Sequence, residues 1–362
     1  MKDASTTTQG EAPQARAEGT AERARTVRPL RVGVIGAGYW GPNVIRNMVA
    51  LDACRLVTVC DTDPARLAPI ERLYPTVRRE NDARALLADP TLDAVVICTP
   101  VHTHFPLAQA ALEADKHVLI EKPMAHSIAA ASALVELAAA RSRTLMVDHT
   151  FVYSGPIKAM RALIESGEIG ELLYFDSVRI NLGLFQKDVN VVWDLAPHDL
   201  SIMDHLLQRE PRWVSAIGSA HFGKLENVAY ITVRFDGSLI AHFHVNWLAP
   251  VKIRRTVIGG SKKMIVYDDL DPSDRVKIYD KGVSINVDRA ERDRLLVDYR
   301  TGDMLAPRID KTEPLSAVCA HFVDCALNGK RPLTDGRAGL RVVQLLEAAQ
   351  QSIARDGARV SL

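Results

Sequence analysis

The sequence predicts an α/β protein in two parts: an N-terminal domain built on a parallel sheet, and a C-terminal α/β domain with a large open, mostly antiparallel sheet. Three observations predict it. Short β-branched runs alternate with helical stretches from Leu30 to Asp148, the order that a parallel sheet covered on both faces requires. After Asp148 the alternation stops and period-2 strands dominate, as in a sheet with one solvated face. At 362 residues the chain is also longer than one hydrophobic core usually organises. The expected division is 1–28 as a disordered tail, 29–150 as the first domain and 151–362 as the second, with the last helix free to pack back on the first.

The elements follow in order. Arg31 to Gly36 is a β-branched run ending in glycine, as a buried parallel strand does. A helix is expected from Pro42 to Leu51, where proline is tolerated near the start. Arg55 to Asp61 is a second buried-strand pattern that stops on a carboxylate. Helices over Pro64 to Leu73 and Asp82 to Ala88 precede a strand at Ala94 to Cys98. A helix over Phe105 to Ala114, a strand at Lys116 to Ile120 and an alanine-rich helix from Ser127 to Arg141 come next, with Ser127 as N-cap. Leu145 to Val147 closes the alternating part. Helices are then expected over Pro156 to Ser166 and Ala196 to Leu207, followed by strands at 173–180, 213–222, 228–235, 239–248 and 251–258. Asp236-Gly237 marks a hairpin between two of them. Residues 271–308 are polar and carry no clear pattern, and Pro314 to Leu327 and Asp335 to Arg355 read as amphipathic helices.

Composition excludes several function classes. Lys plus Arg number 45 against 44 Asp plus Glu, so no charge excess points to nucleic acid or an anionic membrane. No apolar stretch is long enough to span a bilayer, and the first 28 residues carry no hydrophobic block that would make them a secretory signal. The five cysteines form no Cys-x-x-Cys pair or zinc spacing, so no metal site is expected and the thiols read as reduced residues of a cytoplasmic protein.

The chemistry starts at Gly36-Ala37-Gly38-Tyr39-Trp40-Gly41. A strand feeds this loop and a helix leaves it, so Gly36 makes the tight turn and Gly38 lets a pyrophosphate approach the backbone. Gly41 permits close helix–strand packing, and the phosphate meets free N–H groups and the positive end of the helix dipole. Asp61 ends the next strand, twenty residues after Gly41, where a carboxylate binds the ribose hydroxyls of the cofactor and repels a 2′-phosphate. Thr62 follows it rather than Arg, which favours NAD over NADP. Arg66 on the next helix is the residue that could swing towards a phosphate instead.

Glu121-Lys122-Pro123 lies at the carboxyl end of a parallel strand, in the crevice where open α/β sheets bind ligands. Proline after Lys122 holds an extended backbone there and permits a cis bond. Further on, Asp194 and His198 are four residues apart at the opening of a short helix, which places both on one face if the helix starts by Asp194, and Pro197 is expected in its first turn.

With these residues in view, the chain resembles the Gfo/Idh/MocA family, the glucose-fructose oxidoreductase and inositol dehydrogenase type of enzyme. The resemblance runs from Leu30 to Leu362 and is carried by the glycine loop, Cys98-Thr99-Pro100 with His102 and His104, Glu121-Lys122-Pro123, and the Asp194/His198 spacing. It implies a Rossmann domain followed by an α/β domain whose open sheet builds homodimers or homotetramers. It also implies that the glycine loop (Gly36, Gly38, Tyr39, Trp40, Gly41), Asp61, the Thr99-to-His104 segment and Glu121-Lys122 hold the dinucleotide, and that Lys122, Asp194 and His198 serve a substrate hydroxyl. Family members often carry glycines between the acid and the histidine, where this chain has Leu195, Ala196 and Pro197.

Oxidising a secondary alcohol needs a base for the hydroxyl proton. An unperturbed histidine titrates near pH ~6.5, whereas a lysine starts near ~10.4 and would have to fall by about three pH units, close to 4 kcal/mol. His198 is therefore expected as the acid/base, Lys122 as the cationic clamp on the substrate oxygen, and Asp194 as the group that orients His198. Tyr153, Arg179, Asn181, Asn190 and Trp193 are further candidates for substrate contact. The expected activity interconverts a hydroxyl and a ketone on a sugar, cyclitol or nucleotide-linked sugar. An NAD-dependent glycoside hydrolase using transient oxidation and a non-catalytic NAD-binding regulator are the alternatives.

Overall fold

The computed structural model describes residues 28–183, 185–186, 188–286 and 296–362; apart from Arg28, the expected tail lies outside them. The first domain runs β1 (Leu30–Ile35), α1 (Gly41–Val49), β2 (Cys54–Cys60), α2 (Pro64–Leu73), β3 (Arg78–Glu80) and α3 (Ala83–Leu87). It continues with β4 (Ala94–Ile97), α4 (Val101–Glu113), β5 (His117–Glu121), α5 (Ile128–Ala140) and β6 (Leu145–Asp148). These six strands form a parallel sheet in the order β3-β2-β1-β4-β5-β6, so the order reverses between β1 and β4. That reversal opens a crevice at the strand ends. The sheet is buried on both faces, with Val32, Val34, Ala94, Val95, Ile97 and Ile120 all at 4% exposure or less, as the unbroken β-branched runs predict.

A 3₁₀ turn (Thr150–Tyr153) and α6 (Gly155–Glu165) lead into β7 (Leu172–Leu182), α7 (Val191–Leu207), β8 (Pro211–Ser219), β9 (Val228–Phe235) and β10 (Ile240–Asn246). Then come β11 (Leu248–Gly260), β12 (Met264–Asp268), β13 (Val276–Tyr279), β14 (Gly282–Asn286), β15 (Leu296–Arg300) and β16 (Met304–Leu305). The chain ends with α8 (Pro314–Asn328), α9 (Gly336–Ile353) and β17 (Val360–Ser361). Nine of these strands make one sheet, ordered β16-β13-β12-β11-β7-β10-β9-β8-β17; β7 and β10 pair in parallel and the other described pairs are antiparallel. One face packs on helices: Ile231, Val233, Ala241, Phe243 and Val245 are buried against a core that includes Leu200, Met203 and Leu206 of α7. The alternate residues of β9 and β10 point away. The sequence is thus an α/β chain with a parallel sheet followed by a mostly antiparallel one.

Several elements differ from expectation. Edge strand β3 has no apolar signal and pairs only with β2. Helix α4 starts four residues before the expected Phe105, because Pro100 serves as N-cap with an extended backbone. Helix α7 starts at Val191 rather than Ala196, with the Asn190 side chain accepting from Trp193 N, so Pro197 sits inside the helix. Part of the patternless 271–308 stretch forms β13 to β16. Helix α8 packs on α1, while α9 packs on α5 and α7, so both late helices touch first-domain elements.

Candidate active site

The crevice at the ends of β1, β2, β4 and β5 is an open cleft of about 760 Å³. Its floor is the glycine loop. Gly36 has φ +101°, and a Cβ there would come 2.5 Å from the Cys98 carbonyl oxygen. A Cβ on Gly41 would collide with the Gly36 carbonyl oxygen. Each glycine thus fills the role its spacing predicts. Helix α1 begins at N-cap Trp40 and α4 at N-cap Pro100, and neither start has a side-chain cap. Asp63, Asp82, Ser127, Asn190 and Asp335 cap five of the other helices with side-chain oxygens, while α6 and α8 also start without one. First-turn N–H groups left without a side-chain cap at the cleft suit an anionic ligand. Loop, cleft and acid therefore fit a dinucleotide.

Asp61 is buried, with Oδ2 accepting from Ala37 N at 2.7 Å and Oδ1 from Asp63 N at 2.9 Å. It therefore also ties β2 to the glycine loop. Arg66 leans over the loop, 3.7 Å from Asp61 and 3.5 Å from Asp63. Tyr39 and Trp40 are exposed and line the cleft together with Gly38, Thr99, Pro100 and His102. The His102 ring lies 3.9 Å from Asp188.

His104 has a different place from the one expected. It is buried, its Nδ1 lies 2.9 Å from the Pro123 carbonyl and its Nε2 2.7 Å from the Thr99 carbonyl. It braces the two cleft loops against each other and does not line the cleft. Burial pushes its pKa below the ordinary histidine value, against the pull of the two carbonyls.

At the far end of the cleft the Lys122–Pro123 peptide is cis. Lys122 Nζ donates to the Asp194 carbonyl at 2.8 Å and lies 3.5 Å from Asp194 Oδ1. Pro197, lacking an N–H, cannot bond the Trp193 carbonyl, so this turn of α7 is loosened where Lys122 meets it. Asp194 Oδ2 accepts from Trp247 Nε1 at 3.1 Å. Asp194 is therefore held by Lys122 and Trp247, not by His198, and its expected orienting role is corrected: adjacent turns of one helix share a face without bonding. The His198 ring meets Phe151 in an edge-to-face contact, with ring centroids 5.1 Å apart. Its Nδ1 is buried and has no hydrogen-bond partner among the described residues. Burial pushes the His198 pKa well below the ordinary value, with the positive charges of Lys122, Arg179 and Arg254 adding to it.

Beneath Lys122, Glu121 and Asp148 are direct neighbours across β5 and β6. Burial raises Glu121 well above the carboxylate range, and the Asp148 charge raises it further. Burial also raises Asp148, opposed by hydrogen bonds from Glu121, Thr150 and the Trp40 indole. Two buried carboxyls at one spot resist ionising together, and the stronger rise is on Glu121, which lines the cleft.

Three expected substrate contacts have structural partners instead. The Arg179 guanidinium is 3% exposed and makes two bonds to Asp199, at 2.8 and 2.9 Å, while stacking 4.6 Å over Phe151; it does not line the cleft. Asn190 caps α7 and donates to Glu226 at 2.7 Å and Gln350 at 2.5 Å. Tyr153 is buried with its hydroxyl 3.0 Å from Thr334 Oγ1. Asn181 is half-buried on β7 and does not line the cleft, whereas Trp193 does. The sequence reading did not single out Trp247, Asp148, His149 or Phe151. Asp148 and His149 follow a parallel strand end, a signal that could have found them; Trp247 carries none.

Residues 30–149 match the oxidoreductase family described as Gfo/Idh/MocA with an NAD-binding Rossmann fold, and residues 157–266 match the C-terminal domain of the same family. A UDP-N-acetylglucosamine 3-dehydrogenase from Acidithiobacillus ferrooxidans is 30% identical over 324 residues, covering 87% of this chain and 94% of the relative. The solved structure of a protein of that name from the same organism has a TM-score of 0.77 at 25% identity, covering 90% of this chain and 98% of that one. A myo-inositol 2-dehydrogenase from Thermotoga maritima is 24% identical over 336 residues, covering 90% of this chain and 96% of the relative. With the strand order, glycine loop, Lys122 and Asp194/His198 already in place, the chain belongs to the Gfo/Idh/MocA family of NAD-binding oxidoreductases.

Proposed function

We propose that this chain oxidises a secondary hydroxyl of a sugar or cyclitol, with a nucleotide-linked sugar as the favoured substrate, and that His198, Lys122 and Asp194 serve the reacting hydroxyl. One observation carries the reading: Lys122 Nζ, anchored on Asp194, lines the same cleft as the glycine loop and Asp61. The nucleotide-linked class is favoured by the relatives of that kind along most of the chain.

The glycine loop and Asp61 would hold NAD, which would supply the hydride acceptor. Lys122 donates a hydrogen bond to the substrate oxygen, where negative charge grows as the hydroxyl proton leaves. Asp194, held by Trp247, keeps the ammonium aimed. His198 is neutral, because its pKa lies well below the ordinary value, so a ring nitrogen is ready to take the proton. The neighbouring cations lower its basicity, while Lys122 lowers that of the substrate oxygen.

The test is a panel of free sugars, cyclitols and UDP-N-acetylglucosamine incubated with NAD, followed by NADH absorbance. Net NADH supports the dehydrogenase. Cleavage of an aryl glycoside without net NADH would favour the hydrolase, and NAD binding with neither outcome the regulator. We also place the protein in the cytoplasm as a homodimer or homotetramer formed through the open sheet. Its five cysteines form no disulfide, and no described helix is long and apolar enough to cross a membrane. The outer sheet face aligns exposed Ile217 and Tyr230 with His244 across β8, β9 and β10. Light scattering after size exclusion reads the mass; a monomer at micromolar concentration removes the oligomer proposal.

A further inference from the structure

We propose that His149 relays the proton released in the reaction from His198 to a second cavity behind α7, without itself touching substrate; this rests on the assignment of His198 as base. His149 follows β6, is 1% exposed, and neither ring nitrogen has a hydrogen-bond partner among the described residues. A buried imidazole with both nitrogens unmatched is costly, and ordered water is the usual remedy. The same lack marks His198 Nδ1, on the side of the ring turned into the protein.

Two contacts bring these rings together. Phe151, two residues after His149, meets the His198 ring in an edge-to-face contact. Ser201, one turn beyond His198 on α7, bonds the His198 carbonyl at 2.8 Å and lines the same cavity as His149. That cavity holds about 310 Å³ and reaches exposed Gln208 and Arg209, with Asp204, His205, Thr334 and Arg341 on its walls. It is polar, roomy enough for several waters, and shares no lining residue with the cleft.

The need for such a route is physical. With substrate and cofactor in place, the cleft side of His198 is covered, so a proton taken there has no direct path to solvent. In the relay, the substrate O–H bond breaks and an N–H forms on the cleft-side nitrogen of His198. The proton on Nδ1 passes through bridging water to one nitrogen of His149, and the proton on its other nitrogen passes to water in the cavity. The hydride and its electron pair leave with NAD, and one proton reaches solvent. Both rings return to their starting tautomers by exchange with water before the next turnover. Burial, with the Lys122 charge adding, pushes His149 down to about 3. The ring therefore stays neutral, and a neutral imidazole passes a proton by accepting at one nitrogen while donating at the other.

The test uses the full chain, NAD and the panel sugar that yields NADH, with His149→Phe and His149→Asn. The first-turnover NADH burst should keep its amplitude and stay within twofold in rate. Steady-state turnover should fall at least tenfold at little change in KM and recover with added imidazole. Steady-state turnover within twofold of the parent, or loss of the burst itself, overturns the relay. A His198→Ala variant separates the layers. Its loss of the burst upholds the base assignment, whereas a retained burst removes that assignment and the relay with it. If no panel sugar yields NADH, the dehydrogenase reading falls and takes the relay with it.

Discussion

The Arg179–Asp199 pair offers the most demanding check on how the site is supported. Both residues are 3% exposed, and the guanidinium makes two parallel bonds to the carboxylate at 2.8 and 2.9 Å. Replacing Asp199 with Ala leaves a buried guanidinium that keeps the face of Phe151, 4.6 Å away, and the more distant Asp269 charge, both already present in the parent. Stranding one member of such a pair costs about 3–5 kcal/mol. Since a domain is stable by only about 5–15 kcal/mol, Asp199→Ala should lower the unfolding midpoint markedly. Chemical unfolding followed by tryptophan fluorescence reads it, because Trp247 lies in the same core. The double variant Arg179→Met/Asp199→Leu removes both charges and their desolvation cost, so it should regain most of the loss, with a coupling energy of at least about 2 kcal/mol. If Asp199→Ala costs less than about 1 kcal/mol, or the two changes simply add, the pair is not the clamp described.

Other outcomes follow from the same geometry. Gly41→Ala drives a methyl group into the Gly36 carbonyl and should abolish NAD binding by calorimetric titration while far-UV dichroism stays near the parent's. Asp61→Ala removes the acceptor for Ala37 N; at about 1.5–3 kcal/mol for a charged hydrogen bond, the NAD dissociation constant should rise roughly tenfold or more. Lys122→Met should lower kcat about a hundredfold or more with NAD affinity within threefold, read by stopped-flow and fluorescence titration. His149 is held at about 3 when folded and near ~6.5 when unfolded. The unfolded chain therefore binds more protons between these values. Stability is full above about pH 6.5 and falls on acidification by up to ~1.4 kcal/mol per pH unit from this group, until about pH 3. Unfolding midpoints at pH 7, 6 and 5 should show a shallower fall for His149→Phe than for the parent.

Several features were legible because their cause is local. Glycine spacing, the strand before it and Asp61 twenty residues later fix a turn that backbone sterics and helix–strand packing then enforce, and Gly36 and Gly41 meet the contacts their roles imply. Helix α2 follows its pattern from Pro64 to Leu73 because Asp63 caps it. The start of α7 was not legible. Pro197 argues locally for a first turn, but burial of Val191 and Val192 and the Asn190 cap extend the helix past it.

The sequence by itself determined the alternation that builds a parallel sheet, the glycine loop with Asp61, and Lys122, Asp194 and His198 as candidates, because periodicity, turn chemistry and short spacings act within a few residues. Only the tertiary structure decided whom those residues touch. Asp194 turns to Lys122 and to Trp247, which is 53 residues away, and Glu121 meets Asp148 across the sheet. Arg179 is spent on Asp199 and His104 on two carbonyls, while His149 and His198 have nitrogens without a partner among the described residues. Hydrogen-bond partners are chosen by packing between distant segments, and burial sets both their strength and the pKa values that follow.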